Sequence, residues 1–246
     1  MKKLVGYLTA KLGGNNFSID LANAMYDAGC DTLEIGVPFS DPVADGPVIE
    51  AAGHKVLESG FSLKDLFEIS AAIPNDKDLL WMGYFNPFYH YGFKDLVAKA
   101  AEVGVSGLII PDLPFEEAKT YHSLLHHHNV SLIDFVAPTD SKERIRKTVS
   151  KAEKFIYLVA YAGITGSDKS EDLSTVIANI RKTTDTPVYI GFGVTPENAK
   201  EKAKEVDGVI VATVFVKVLL DESLTPSQKI DKISVLVREI KEKIND

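Results

Sequence analysis

The 246-residue sequence contains one cysteine, Cys30, one tryptophan and three methionines. A single cysteine forms no internal disulfide and builds no cysteine-based zinc site. No apolar run approaches the roughly 18 residues of a membrane span. The start, Met1-Lys2-Lys3-Leu4-Val5-Gly6-Tyr7, reads as a short basic lead into a strand and lacks the apolar stretch and cleavage site of a signal peptide. Basic residues are in deficit, 27 against 35 acidic, for a net charge of −8. That argues against bulk nucleic-acid binding, which needs a basic face to neutralise phosphates. A small phosphate ligand stays open, because backbone N–H groups hold an anion without net positive charge. The expectation is a soluble cytoplasmic protein with no membrane or nucleic-acid partner.

What is present is ordinary globular composition, 45% hydrophobic and 25% charged, arranged as a repeated strand–helix alternation. Short apolar segments bounded by Gly, Pro, Asp or Asn occur at residues 4–10, 32–37, 79–84, 107–111, 131–137, 155–160, 187–193 and 208–211. Such segments suit strands buried on both faces. Helical patterns lie between them at 18–28, 62–73, 93–103, 115–128, 141–152, 171–182 and 197–206. A last helix opens at Thr225-Pro226-Ser227-Gln228, a cap, a first-position proline and a capping-box partner. Behind it Ile230, Ile233, Val237, Ile240 and Ile244 form one apolar stripe. Eight strands alternating with eight helices in about 250 residues predict an α/β fold, a single (β/α)8 TIM barrel, as one domain over 1–246. A doubly wound open sheet shares the local pattern and is the competitor.

In a barrel, chemistry belongs to the C-terminal strand ends. Glu34 lies inside the segment Thr32-Leu33-Glu34-Ile35-Gly36-Val37. Burial there raises a carboxyl pKa and suits it to proton donation near neutral pH. The alternative is an ion pair with a lysine of a neighbouring element. The next loop, Val37-Pro38-Phe39-Ser40-Asp41-Pro42-Val43-Ala44-Asp45-Gly46-Pro47, is stiffened by three prolines. Asp45 is either turn chemistry or a second carboxylate whose pKa is set apart from that of Glu34. Three later strand ends can hold a phosphate: Gly163-Ile164-Thr165-Gly166, Gly191-Phe192-Gly193 before Thr195-Pro196-Glu197, and Ala212-Thr213 before an apolar stretch over 214–220. His126-His127-His128 reads as a solvated helix end rather than a metal site, and Trp81 and Met82 read as core.

The run from Leu33 to Pro47 closely resembles the tryptophan synthase α subunit family. The resemblance extends along the chain through Tyr7-Leu8-Thr9-Ala10, Met82-Gly83-Tyr84-Phe85-Asn86-Pro87, Pro111-Asp112-Leu113-Pro114-Phe115-Glu116-Glu117, Ala137-Pro138-Thr139 and Gly191-Phe192-Gly193. It implies retro-aldol cleavage of indole-3-glycerol phosphate to indole and glyceraldehyde 3-phosphate in a (β/α)8 barrel, with no cofactor on this subunit. Glu34 and Asp45 match the family's catalytic carboxylates. Tyr157 matches a tyrosine near the reacting atoms, and Tyr7, Ile49 and Tyr84 match the indole pocket. Thr165, Gly166, Phe192, Gly193, Ala212 and Thr213 fall at the phosphate end. The implied partner is a pyridoxal-phosphate-bearing β subunit in an α2β2-type complex, faced by Asp112 and residues 86–92.

The sequence departs from the family pattern in three places. Lys11-Leu12-Gly13-Gly14 stands for Gly-Asp-Pro. Ala160 and Ile164 stand for Ser and Val, and Ala212-Thr213 for Gly-Ser. Two other functions fit the same fold. A different phosphate-binding barrel enzyme would want a lysine deep in a strand, and the eight segments carry none. A non-catalytic phosphate-binding subunit that only activates its partner would tolerate loss of Glu34 or Asp45, and both are present.

Overall fold

The computed structural model describes residues 1–160 and 173–246. Among these, nine parallel strands form one sheet: β1 (Lys3–Thr9), β2 (Thr32–Gly36), β3 (Asp78–Met82), β4 (Val105–Ile109), β5 (Ser131–Leu132), β6 (Asp134–Val136), β7 (Ile156–Val159), β8 (Val188–Gly191) and β9 (Gly208–Val211). The lateral order is β5-β4-β3-β2-β1-β9-β8-β7-β6. The first strand thus pairs with both the second and the last, as in a barrel and not in a doubly wound sheet. The two ends of that order, β5 and β6, are consecutive in the chain. Ile133 between them donates its N–H to the Leu108 carbonyl at 2.9 Å, which carries the sheet round to closure.

The segment expected as one strand over 131–137 is therefore two. Its first half pairs with β4 and its second with β7. Other expectations also shift. The helix expected over 115–128 is a short helix Phe115–Ala118, a 3-10 turn Lys119–Tyr121 and a second helix His122–His127. The helix expected over 197–206 is one turn, Ala199–Lys202. Helices Pro47–Glu58 and Phe85–Tyr91 were not expected. The first of them starts as its sequence suggests, from Gly46 with a proline at the first helical position.

The last helix, Pro226–Lys243, has the reciprocal cap its sequence encodes. Thr225 Oγ1 accepts from Gln228 N at 3.3 Å, and Gln228 Oε1 accepts from Thr225 N at 2.8 Å. Its stripe of Ile233, Val237 and Ile240 is buried, packed towards helix Asn15–Ala28. Trp81 is wholly buried and donates to Ser70 Oγ at 2.8 Å, so the indole N–H is satisfied inside the core.

Aspartates stitch the N-terminal ends of the strands. Asp31 accepts from Leu4 N at 2.8 Å and returns its own N–H to the Leu4 carbonyl at 2.9 Å, with Lys241 closing on its carboxylate. Asp207 repeats the clasp on Val188, at 2.7 and 2.8 Å, with Arg181 as the cation. Asp78 joins Thr32, Ser106 and Lys154 at 2.6–2.7 Å, tying β2, β3 and β4 to the approach to β7. Each carboxylate is paired and hydrogen-bonded, which holds Asp31 and Asp78 below the usual carboxylate range. That end of the barrel is fastened; the other end carries the cavity.

Candidate active site

A cavity of about 240 Å³ opens at the C-terminal strand ends. Parallel register sets Tyr7 of β1 beside Glu34 of β2, and Phe135 of β6 beside Tyr157 of β7. All four line the cavity. Phe135 stacks on Tyr157 with centroids 4.9 Å apart and 25° between planes. Together with Ile49 from helix Pro47–Glu58 and Met82, these rings make an apolar slot suited to a flat aromatic ligand.

Glu34 is 4% exposed, and its Oε2 has no hydrogen-bond partner among the described residues. No lysine among the described residues pairs with it. Burial, reinforced by the charge of Asp45, pushes its pKa up to about 8. Asp45 lies two residues before helix Pro47–Glu58 and faces the same cavity. Burial raises it to about 6; a hydrogen bond from the Tyr84 hydroxyl holds it down, and the charge of Glu50 pushes it up. At neutral pH the two carboxyls therefore differ, Glu34 protonated and Asp45 ionised. The site offers a proton donor and a proton acceptor facing one cavity. Tyr7 and Tyr157 are raised, first by burial, and stay neutral.

Tyr84 sits behind the wall rather than in it. It is buried, stacks on Phe39 with centroids 5.3 Å apart, and its hydroxyl accepts from Ala44 N at 3.0 Å. It reaches the cavity through Asp45.

The far end of the cavity is built from backbone. Phe192 and Gly193 are both left-handed, with φ of 66° and 72°. For phenylalanine this conformation is costly, and such strain gathers at functional sites. Asn198 clamps the turn, donating to the Gly193 carbonyl and accepting from Thr195 N, both at 2.8 Å. Beside it Ala212 caps the eight-residue helix Thr213–Leu220 without a side-chain hydrogen bond, and the N–H groups of Thr213 and Val214 have no acceptor among the described residues, which suits an anion. Phe192, Gly193, Ala212 and Thr213 all line the cavity. Thr165 and Gly166 lie outside the described residues.

The sequence reading missed Ile109, Phe135, Ile210 and Lys217; Met82 is buried in the core as expected and also lines the cavity. The available signal was strand alternation. Ile109 ends β4, Phe135 is the residue registered with Tyr157, and Ile210 is the residue before the end of β9. No group of three or more His, Cys, Asp or Glu among the described residues is placed to hold a metal. His126 and His127 close helix His122–His127, and His128 caps it. No helix among the described residues is long and apolar enough to cross a membrane.

A family model described as tryptophan synthase alpha chain matches residues 1–245. The tryptophan synthase alpha chain of Wolinella succinogenes is 56% identical over 246 residues, covering all of this chain and 96% of that protein. That of Methanosarcina mazei is 40% identical over 240 residues, covering 97% and 87%. The solved tryptophan synthase subunit alpha from Campylobacter jejuni superposes with a TM-score of 0.86 at 34% identity, covering 96% of this chain and 95% of that one. A ligand-free tryptophan synthase from M. tuberculosis gives 0.88 at 29% identity, covering 100% and 94%. With a match along essentially its whole length and the two carboxylates facing one cavity, the chain belongs to the tryptophan synthase alpha chain family.

Proposed function

We propose that Glu34 and Asp45 are the acid–base pair with which this lyase of tryptophan biosynthesis cleaves indole-3-glycerol phosphate to indole and glyceraldehyde 3-phosphate. Protonated Glu34 delivers its proton to indole C3, and ionised Asp45 accepts the hydrogen bond from the ring N–H as positive charge develops there. Glu34, now a carboxylate, takes the proton of the side-chain hydroxyl next to the ring. The O–H electron pair becomes the aldehyde C=O, and the C–C bonding pair returns to the ring as indole. The indole rests in the slot of Tyr7, Ile49, Phe135 and Tyr157. The phosphate sits on the backbone of Gly193, Ala212 and Thr213; Thr165 and Gly166, which the family resemblance also assigns to it, lie outside the described residues. Tyr84 positions Asp45. The observation that carries this reading is the split between two carboxyls in one cavity, one pushed to about 8 and the other to about 6.

An alpha chain implies a β subunit, and an α2β2-type complex in the cytoplasm is the assembly we infer, with residues 1–246 as one barrel domain. Residues 86–92 and Asp112 would form part of the contact. Asp112 accepts from Phe85 N at 2.8 Å and so anchors helix Phe85–Tyr91, on which Tyr89 is 63% exposed. Val43, in the loop that carries Asp45, is 83% exposed, and large apolar side chains left in water mark such surfaces. The test is indole release from indole-3-glycerol phosphate by the purified chain, alone and with a β subunit, beside Glu34→Gln. Release that disappears in the variant supports the pair. Undiminished release in Glu34→Gln removes Glu34 from the chemistry, and no release from the folded chain under either condition favours a subunit that only binds and activates.

A further inference from the structure

Among the described residues, the cavity is lined by a single basic side chain, Lys217. It lies one helical turn after Thr213 on helix Thr213–Leu220, so the two share a face. Helical side chains lean towards their own N-terminus, which aims the Lys217 stem back at the free N–H groups behind Ala212. The rest of the helix is committed to packing: Phe215, Val216, Val218 and Leu219 are buried, whereas Thr213 and Lys217 are exposed. Lys217 makes no hydrogen bond or ion pair with any described residue.

The acids come from other elements of the lining: Glu34 is on β2 and Asp45 in the loop after it, whereas Lys217 is on the helix after β9. The charge that raises Glu34 is that of Asp45, and the charge that raises Asp45 is that of Glu50. The cavity is therefore polarised, with carboxyls at one end and an ammonium beside a helix N-terminus at the other. Electrostatics give that ammonium work to do. The protein carries a net charge of −8 and repels an incoming phosphate dianion, and a local positive group at the mouth of a low-dielectric cleft offsets that repulsion.

We propose that Lys217 meets the phosphate monoester of the substrate and sets the preference for phosphorylated over unphosphorylated indole glycerol. This rests on the reading that Gly193, Ala212 and Thr213 hold the phosphate. The ammonium adds a charge-assisted contact to the backbone donors at Gly193, Ala212 and Thr213. It also offsets the extra methyl groups that Ala212 and Thr213 place there.

The experiment measures kcat and KM for indole-3-glycerol phosphate cleavage by the full chain at low and high ionic strength, with glycerol 3-phosphate and indole as separate inhibitors. In Lys217→Gln we expect KM and the glycerol 3-phosphate inhibition constant to rise about tenfold, with kcat within about twofold and indole inhibition unchanged. The salt dependence of kcat/KM becomes shallower, and Lys217→Arg recovers most of the loss. Thr213→Glu, which sets a carboxylate at the same helix N-terminus, is the companion variant. If Thr213→Glu weakens glycerol 3-phosphate and Lys217→Gln does not, the role of Lys217 is overturned and the phosphate end stands. If neither variant changes it, the phosphate end itself is misplaced. Equal weakening of indole and glycerol 3-phosphate in Lys217→Gln would mean a structural role and would also overturn the proposal.

Discussion

The Tyr7 hydroxyl occupies the space that a side chain on Gly36 would need: a Cβ built on Gly36 would overlap the phenol. The partner of Tyr7 across β1 and β2 is Glu34, and Gly36 is two residues further on, so the ring leans diagonally along the barrel interior. The same device recurs across the barrel, where Tyr157 of β7 lies over Gly191 of β8. Two tyrosines that frame the cavity are thus seated on glycines.

Gly36→Ala must displace the Tyr7 ring, since the neighbours inside the barrel are close-packed. Overpacking of this kind costs about 1–3 kcal/mol. We expect a lower Tm and a reduced kcat/KM for indole-3-glycerol phosphate in Gly36→Ala, and the same in Gly191→Ala through Tyr157. Thermal unfolding and steady-state kinetics check it. A variant with unchanged KM would mean that the ring positions do not shape the slot.

Glu34 is a site of stored instability. Its folded pKa, about 8, lies above the ordinary glutamate value of 4.5. Between those pH values the folded state holds a proton that the unfolded state has released, so stability falls as pH rises through this window. Glu34→Gln removes the penalty. The expected result is a higher Tm than the parent at pH 8, little difference near pH 4, and a loss of indole release of about 10²-fold or more. Parallel Tm-against-pH curves for the two proteins would contradict the buried, unpartnered carboxyl.

Tyr84 acts through Asp45, and its hydrogen bond holds that carboxyl down. In Tyr84→Phe the Asp45 pKa rises above about 6, and the acid limb of the kcat/KM profile moves to higher pH. Because Tyr84 does not line the cavity, inhibition by indole at pH 8 stays close to that of the parent. A pH profile that keeps its acid limb would separate Tyr84 from Asp45.

Asp134, where the fifth barrel strand breaks, faces outward into two clefts. One is lined by His122, His126, Lys151 and Glu153, the other by Asp140 and Arg144. Burial, with the nearby Glu153 charge, raises it to about 7 from 3.8. The sign is again that of a raised carboxyl, with stability lost as pH climbs from about 4 to 7. Asp134→Leu should raise Tm at pH 8 by a few degrees, about 2–4 °C for each kcal/mol in a domain of this size, and Asp134→Asn should flatten the pH dependence. A lower Tm in both variants would show that the carboxylate has a stabilising partner.

The barrel was legible in the sequence because its signals are local. Buried strands are short apolar runs, the cap at Thr225 is a reciprocal pair of bonds within four residues and at Ser62 the Asp65 carboxylate accepts from the Ser62 N–H, and the Ile233–Val237–Ile240 stripe follows helical periodicity. Glu34 stood out for the same reason, as a carboxylate within an apolar strand. The motif in the loop after it supplied Asp45. Closure is different in kind. That β1 meets β9, and that the fifth strand divides at Ile133 to serve two neighbours, depends on hydrogen bonds between residues far apart in sequence. So does the assignment of roles. Only the packed barrel strips Glu34 of water and partners, sets Asp45 against Tyr84, and turns Lys217 towards the cavity. Desolvation and the distance between charges are properties of the assembled interior, which no single segment possesses.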